Sequence, residues 1–102
     1  MYISGKTKVD SQGRVNLNGL FRSDKMPKQV VLVVDVEKEM ILVMDEDKAP
    51  DFGVVQKIDK KSRLIIPEWI REEVGNAKEF FLVIDEDKKY ISPKTGDILP
   101  KA

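Results

Sequence analysis

Two five-residue segments of the chain begin with aspartate and end with arginine. They read DSQGR at 10–14 and DKKSR at 59–63. An aspartate at the start of a tight turn accepts hydrogen bonds from nearby backbone N–H groups, so both segments are predicted to be turns. The arginine that ends each segment has a planar guanidinium group, which binds a phosphate or a guanine edge through two hydrogen bonds. The two segments therefore indicate paired turns, each followed by an arginine that could bind such a group or instead hold its own turn closed.

Basic residues near the two turns would supply the rest of such a contact, because affinity for DNA comes mostly from neutralising phosphates. Lys60 and Lys61 occupy the tip of the second turn. Ser11 and Gln12 stand at the same places in the first turn, where they could form hydrogen bonds but add no charge. The two halves of the contact are therefore chemically unequal. The candidate DNA-binding residues are Lys6, Lys8, Ser11, Gln12, Arg14, Arg22, Lys57, Lys60, Lys61, Arg63 and Arg71.

Each candidate also has a purely structural interpretation. Arg14 and Arg63 could each pair with the aspartate of their own turn and hold it closed. Arg22 and Arg71 lie in segments predicted to be helical, where a structural ion pair explains them as well as DNA does. Isolated lysines are usually solvated strand residues. The aromatic residues expected in the core, rather than on a base-stacking surface, are Phe21, Trp69, Phe80 and Phe81.

The composition excludes the commonest kinds of catalytic and metal site. The chain has 102 residues, no cysteine and no histidine. It therefore lacks disulfides, thiolate ligands and the side chain most often used as a general base. It also has no glycine-rich phosphate loop, so we expect neither an enzyme nor a bound metal or cofactor. A chain of this length fits one domain, or two very small units that share a core.

The cellular location is predicted from two further features. No apolar run approaches the roughly 18 residues that a membrane-spanning helix needs. The first ten residues lack the apolar centre of a signal peptide. We therefore expect a cytoplasmic protein of a prokaryote or its phage, associated with the nucleoid if it binds DNA.

Charge is segregated along the chain although the net charge is zero, with 18 basic and 18 acidic residues. The segment 5–14 has three basic residues against one acid, and 56–63 has four against one. The segments 35–51 and 68–87 each have seven acids against two basic residues. A fold that gathers the two basic segments would have a basic pole and an acidic pole.

The chain consists of two copies of one pattern. An offset of 49 residues superimposes 8–22 on 57–71, and an offset of 50 superimposes 32–41 on 82–91. Both the apolar pattern and the charged residues recur. One copy this short could not bury its apolar side alone, whereas two copies could share a core.

Each copy is predicted to contain a strand, a turn, a return strand, a short helix and a hairpin. Pro67 is predicted to start a helix that ends at Gly75, and the segment 18–24 to form a shorter, weaker helix. The apolar segments 29–44 and 79–92 are predicted to be hairpins. Ser62 suits a left-handed turn position less well than Gly13, so the second turn could differ in type. The chain from residue 93 onward is predicted to be a loose tail.

The second copy resembles the AbrB/SpoVT-type DNA-binding domain. The pattern of that family is a lysine, an apolar residue, aspartate, three turn residues, arginine, three apolar residues, proline, and a short helix with an arginine before a glycine. The second copy matches it at Lys57, Asp59, Arg63, Pro67, Arg71 and Gly75, and the first copy at Lys8, Asp10, Gly13, Arg14 and Arg22, with Asn18 in place of the proline. Two such copies in one chain also resemble the MraZ arrangement, although the spacing is shorter here.

The resemblance covers about residues 5–93 and implies both a fold and a function. The implied fold is mainly β: a swapped-hairpin (AbrB-like) β-barrel built from two tandem repeats, each with one short helix. The repeats are predicted at 1–48 and 49–93, followed by a short tail at 94–102, and together they would form one pseudo-dimeric barrel. The implied function is that of a transcriptional regulator that grips double-stranded DNA with its paired basic segments.

Two alternatives to this function are open. AbrB-like domains also serve as the DNA-binding half of antitoxins, which would make a toxin a second partner, although the predicted tail is short for that role. A protein-interaction module on the same barrel, with the acidic pole as its binding surface, is the other alternative. Closure of the barrel within one chain and self-association of two chains are both open.

Overall fold

The computed structural model describes residues 1–94 and 99–100, and this part of the chain is mainly β-structure. None of its helices is long and apolar enough to cross a membrane. Besides one α-helix, α1 (Glu68–Glu73), two 3-10 helices occur at Ser23–Lys25 and Glu46–Lys48. The strands are β1 (Tyr2–Lys8), β2 (Arg14–Asn16), β3 (Gln29–Asp35), β4 (Met40–Met44), β5 (Val54–Lys57), β6 (Arg63–Ile65), β7 (Glu79–Asp85), β8 (Lys88–Ser92) and β9 (Leu99–Pro100).

Most strands form one seven-stranded sheet with the order β5-β3-β4-β8-β7-β1-β9. The first strand of each repeat pairs with the hairpin of the other repeat, β1 with β7 and β5 with β3. The two hairpins, β3–β4 and β7–β8, meet where β4 pairs with β8. All of these pairings are antiparallel, and only β9 joins β1 in parallel.

The sheet does not close into the expected barrel through backbone hydrogen bonds. Among the described strands, β5 and β9 are its two edges, and they are not paired with each other. The remaining strands, β2 and β6, form a separate two-stranded ribbon in which Val15 faces Leu64. The ribbon brings together the equivalent return strands of the two repeats.

The main core lies between the ribbon, α1 and one face of the sheet, and both repeats contribute to it. Val15 and Leu64 are each 1% exposed, so the inner face of the ribbon is part of this core. Phe80 is its largest fully buried side chain. The other core residues are Leu17, Leu20, Val30, Leu32, Ile41, Val43, Ile66, Ile70, Val74, Leu82 and Ile91. Both repeats therefore contribute side chains to one shared core.

The predicted helices are confirmed in the second repeat but not in the first. Pro67 caps the start of α1, and Gly75, at φ +80°, ends it. The N–H of Gly75 donates to Glu72 (3.1 Å) and that of Asn76 to Arg71 (2.7 Å), which is a Schellman motif. The first repeat, which lacks the proline, has only the 3-10 helix at Ser23–Lys25.

The hairpin turns lie where they were predicted, and two residues of the predicted loose tail belong to a strand. The chain reverses between β3 and β4 at 36–39, and between β7 and β8 at 86–87. Within the predicted loose tail, Leu99 and Pro100 pair with Tyr2 and Ile3. Residues 95–98 and 101–102 of that tail lie outside the described residues.

Candidate nucleic-acid interface

The first basic turn is closed by the carboxylate of Asp10. Its Oδ1 accepts hydrogen bonds from the backbone N–H groups of Gln12 and Arg14, both at 2.9 Å. Its Oδ2 accepts one from Nε of Arg14 at 2.7 Å. The N–H of Gly13 donates to the carbonyl of Asp10 at 3.0 Å, and Gly13 takes a φ of +79°. This is the three-residue hairpin loop that pairs a tight turn with a left-handed residue.

The second turn has the same geometry. Asp59 accepts from the N–H groups of Lys61 and Arg63 at 2.9 and 2.8 Å, and from Nε of Arg63 at 2.9 Å. Ser62 stands in the place of Gly13 and adopts a φ of +63°. The expectation that a serine here could change the turn type was therefore wrong. The hydrogen bonds to the carboxylate outweigh the backbone strain of a non-glycine residue in the left-handed region.

These hydrogen bonds lower the pKa of both turn aspartates below the ordinary value of 3.8. The largest cause is the backbone N–H of the arginine in the same turn, Arg14 or Arg63. Partial desolvation opposes the effect, while the guanidinium group and the second backbone N–H add to it. Both carboxylates are therefore ionised at neutral pH and hold their turns closed.

Each turn is tied to the other repeat where the ribbon begins and ends. The carbonyl of Gly13 accepts from the N–H of Ile66 at 2.9 Å, and the carbonyl of Ser62 accepts from the N–H of Leu17 at 2.8 Å. The equivalence of these two bonds shows a local twofold arrangement of the turns about the ribbon. The two basic segments, 49 residues apart in sequence, are thereby held at opposite ends of one short structure.

Two further hydrogen bonds fasten the ribbon to the main sheet. Thr7 Oγ1 accepts from the N–H of Asn16 at 2.8 Å, and Gln56 Nε2 donates to the carbonyl of Ile65 at 2.6 Å. Thr7 and Gln56 occupy equivalent places in the two repeats. The ribbon is therefore hydrogen-bonded to both β1 and β5 of the main sheet.

The outward face of the ribbon carries both turn arginines. Arg14 faces Ile65 and Arg63 faces Asn16 in the antiparallel pairing. Directly opposed residues share one face of a sheet and alternate residues share it too, so these four side chains lie opposite the buried Val15–Leu64 pair. We call this four-residue surface the ribbon face.

Arg14 and Arg63 do form the ion pairs of the structural interpretation, but only through Nε. Their side chains are 23% and 29% exposed. Within residues 1–94 and 99–100, no hydrogen bond from their terminal Nη atoms is found. Each guanidinium group is thus oriented by its aspartate while its outer edge stays available, which is how a positioned arginine meets a phosphate or a base edge.

The lysines in and before the turns are exposed to solvent. Lys60 and Lys61 at the tip of the second turn, and Lys8 and Lys57 just before the two turns, have no ion-pair partner among the described residues. Ser11 and Gln12, at the tip of the first turn, are also exposed. These candidates lie in the turns or in the strand ends that precede them, with more positive charge at the second turn than at the first.

Arg71 lies against the first turn, whereas its equivalent Arg22 has no such contact among the described residues. The guanidinium group of Arg71 packs over Gly13, and its Nε donates to the carbonyl of Ile66 at 2.9 Å. Arg22 is exposed and pairs locally with Asp24 at 3.4 Å. The reason is the missing helix: α1 aims Arg71 at the first turn, and the first repeat has no such helix to aim Arg22.

Lys6 is engaged away from the ribbon. It lies on β1, forms an ion pair with Glu79 at 3.2 Å, and lies over the ring of Phe81. These contacts are within the main sheet. Lys6 therefore has a structural partner that the sequence did not indicate.

The two hairpin tips lie at the ends of the strands that are far from the basic turns. Lys8 pairs with Glu79 at the turn end of β1, whereas Tyr2 pairs with Ile84 at the far end. The hairpin tips at 36–39 and 86–87 are therefore remote from the basic turns. The predicted separation into two charged poles is nevertheless incomplete, because Glu79 lies beside Lys8, and Glu46 accepts a hydrogen bond from Gln29, the neighbour of Lys57.

The sequence did not indicate the positions of three residues that lie outside the core. Asn16 and Ile65 belong to the ribbon face, which the period-two alternation around Val15 and Leu64 could have identified. Trp69 was expected in the core and is 52% exposed, because α1 turns Ile70 inward instead. Of the other aromatic residues, Phe80 is fully buried, and Phe21 and Phe81 are partly buried.

Comparison of the sequence with protein-family models and with curated proteins gave no match.

Proposed function

We propose that the chain is a DNA-binding transcriptional regulator that docks the ribbon face into the major groove of duplex DNA. The observation that carries the proposal is that Arg14 and Arg63, from equivalent places in the two repeats, share one outward face between two polar turns. The partner is double-stranded DNA, and the location is the nucleoid. No cofactor is needed for this role.

The dimensions of the ribbon fit the groove. The major groove is about 12 Å wide and accepts a two-stranded β-ribbon. With three residues in each strand and a rise of about 3.3 Å per residue, the ribbon is roughly 10 Å long, which spans about three base pairs. The exposed turn residues at its two ends are then positioned to contact the phosphates on either side.

The charge distribution favours one orientation. Lys60 and Lys61 lie in the second turn, and Lys8 and Lys57 lie in the strand ends before the two turns, while the acidic hairpin tips lie at the other ends of the strands. Phosphates attract the lysines and repel the hairpin tips. This polarity supports DNA binding despite a net charge of zero.

The strand pairing supports the swapped-hairpin arrangement that the resemblance to AbrB/SpoVT-type domains implies. The first strand of each repeat lies beside the hairpin of the other, and α1 follows the second return strand. In the proposed arrangement one chain completes the pseudo-dimer that two chains form elsewhere in the family. Each molecule would then present two unequal halves of one DNA contact.

The first test compares two variants that each remove two exposed lysines. Lys60→Ala plus Lys61→Ala changes the second turn. Lys38→Ala plus Lys88→Ala is the control, because these two lysines lie at the hairpin tips, far from the turns. Binding to a labelled duplex is measured by fluorescence anisotropy at several salt concentrations. We expect the turn variant to bind about tenfold more weakly, with a log–log salt slope up to about 2 units shallower, because fewer counterions are released. The control should bind like the wild type.

The second test removes both arginines. Arg14→Ala plus Arg63→Ala should abolish detectable binding at physiological salt, and circular dichroism confirms that the sheet is retained. Duplex binding as tight as that of the wild type by this variant and by the turn-lysine variant would show that the assigned face is wrong. A wild type that binds no duplex at low salt would overturn the function itself.

A further inference from the structure

The ribbon face contains one apolar residue, and it breaks the equivalence of the two halves. Ile65 is 49% exposed and faces Arg14, whereas its equivalent in the first repeat is Asn16, which faces Arg63. Scattered exposed apolar residues are common on protein surfaces and need no explanation. Ile65 differs because it lies among the residues that would enter the DNA groove.

The polar member of the pair is occupied within the protein. Nδ2 of Asn16 donates to the carbonyl of Lys61 at 3.3 Å, and its Oδ1 accepts from the N–H of Asn18 at 2.8 Å. An asparagine that reads adenine directs both of these atoms at the base. In Asn16 both atoms already have a partner in the protein, which orients the amide toward the loop after β2, so the two ends of the ribbon face differ in what they can recognise.

We propose that Ile65 determines sequence specificity by packing against the C5-methyl group of a thymine. The major-groove edge of thymine is the only base edge with a methyl group, and apolar side chains recognise it by contact. Opposed residues in an antiparallel ribbon are about 5 Å apart, so Arg14 and Ile65 would contact the same or adjacent base pairs. This inference rests on the proposed DNA binding and adds to it an asymmetric site with thymine at one end.

The proposal also accounts for the surroundings of Ile65. Together with Val55, which is 48% exposed, it lines a shallow groove beside the exposed Lys57. This apolar surface lies next to Lys57 and Arg14, which suits a thymine methyl group flanked by phosphates. It suits an apolar protein partner less well, because binding such a partner would remove water from the two charged side chains.

The test uses DNA in which single methyl groups are deleted. Duplexes enriched by the wild-type protein from a randomised library are resynthesised with each thymine replaced, one at a time, by uracil. We expect one replacement to weaken wild-type binding about fourfold, the value of one buried methyl group. Ile65→Ala should bind the thymine and uracil duplexes equally. Val36→Ala, a change at an exposed β-branched residue in the turn between β3 and β4, remote from the ribbon, should keep the wild-type discrimination.

The outcomes separate this inference from the proposed function. If the wild type enriches no duplex, DNA binding itself fails, and with it the reading of thymine. If duplexes are enriched but no thymine position is sensitive, or if Ile65→Ala keeps the discrimination, DNA binding stands and the role of Ile65 is overturned. A change in the solution mass of Ile65→Ala with unchanged discrimination would instead show that Ile65 is a contact between copies of the chain.

Discussion

Replacing Gly13 by alanine tests how the second repeat supports the first turn. Gly13 has a φ of +79°, and a Cβ there would lie 3.1 Å from Cζ and 3.2 Å from Nη2 of Arg71. Gly75 provides a matched control, because its φ is +80° and no atom lies within 4 Å of its added Cβ. The two substitutions impose nearly the same backbone strain, and only the first disturbs a neighbour.

The magnitudes follow from these two terms. An L-residue in the left-handed region costs about 1–2 kcal/mol, of which about 0.4–1 kcal/mol is offset because alanine restricts the unfolded chain. Gly75→Ala should therefore lower the free energy of unfolding by about 0.5–1 kcal/mol. Gly13→Ala should lose about 1 kcal/mol more, because moving Arg71 weakens its hydrogen bond to the carbonyl of Ile66.

The assay is urea unfolding followed by circular dichroism, with the slope m held as a check that the denatured state is unchanged. The extra loss in Gly13→Ala corresponds to a Tm about 4–8 °C below that of Gly75→Ala. In an Arg71→Ala background the difference between the two glycine variants should vanish. Equal losses in the wild-type background would refute the reasoning, since the contact with Arg71 would then carry no energy.

Two further predictions concern the turns. Ser62→Gly should raise the free energy of unfolding in urea by about 0.5–1 kcal/mol, because glycine relieves the strain at φ +63°; a loss would show that the serine side chain stabilises the turn. Acidification should also destabilise the fold through Asp10 and Asp59, because folding lowers the pKa of both side chains. Their contribution to the free energy of unfolding is complete above the ordinary pKa of 3.8 and is lost as the pH falls through the lower pKa of the folded state. Thermal unfolding between pH 5 and pH 2, measured by calorimetry, should therefore show a shallower decline of Tm in Asp10→Asn plus Asp59→Asn than in the wild type, and an identical decline would contradict the role of the carboxylates.

The locally determined parts of the fold were predictable from sequence. Asp10 and Asp59 mark turns because a carboxylate at that place accepts backbone N–H groups within four residues. Pro67 and Gly75 mark the two ends of α1 because each suits its backbone position better than other residues do. These signals need only a few neighbouring residues, so a single sequence contains them.

The parts that depend on distant residues were harder to predict. The repeat shows that β1 and β5 are equivalent, but their equivalence does not reveal that each pairs with the hairpin of the other copy. Trp69 has the large apolar side chain typical of a core residue, and its exposure follows only from how α1 packs through Ile70. Likewise, the packing of Arg71 depends on a contact with Gly13, which lies 58 residues earlier in the sequence.

The pairing of β1 with β7 also determines when the protein can fold. Ser4 on β1 donates through its hydroxyl to the carbonyl of Leu82, a contact between residues 78 apart. During synthesis the first strand therefore has no partner until most of the chain has left the ribosome. Contacts of such high sequence separation slow folding and leave apolar strand edges exposed in the nascent chain. Lys6 and Lys8 occupy exposed positions on β1. Their charges discourage the unpaired strand from pairing with other chains before β7 has been synthesised.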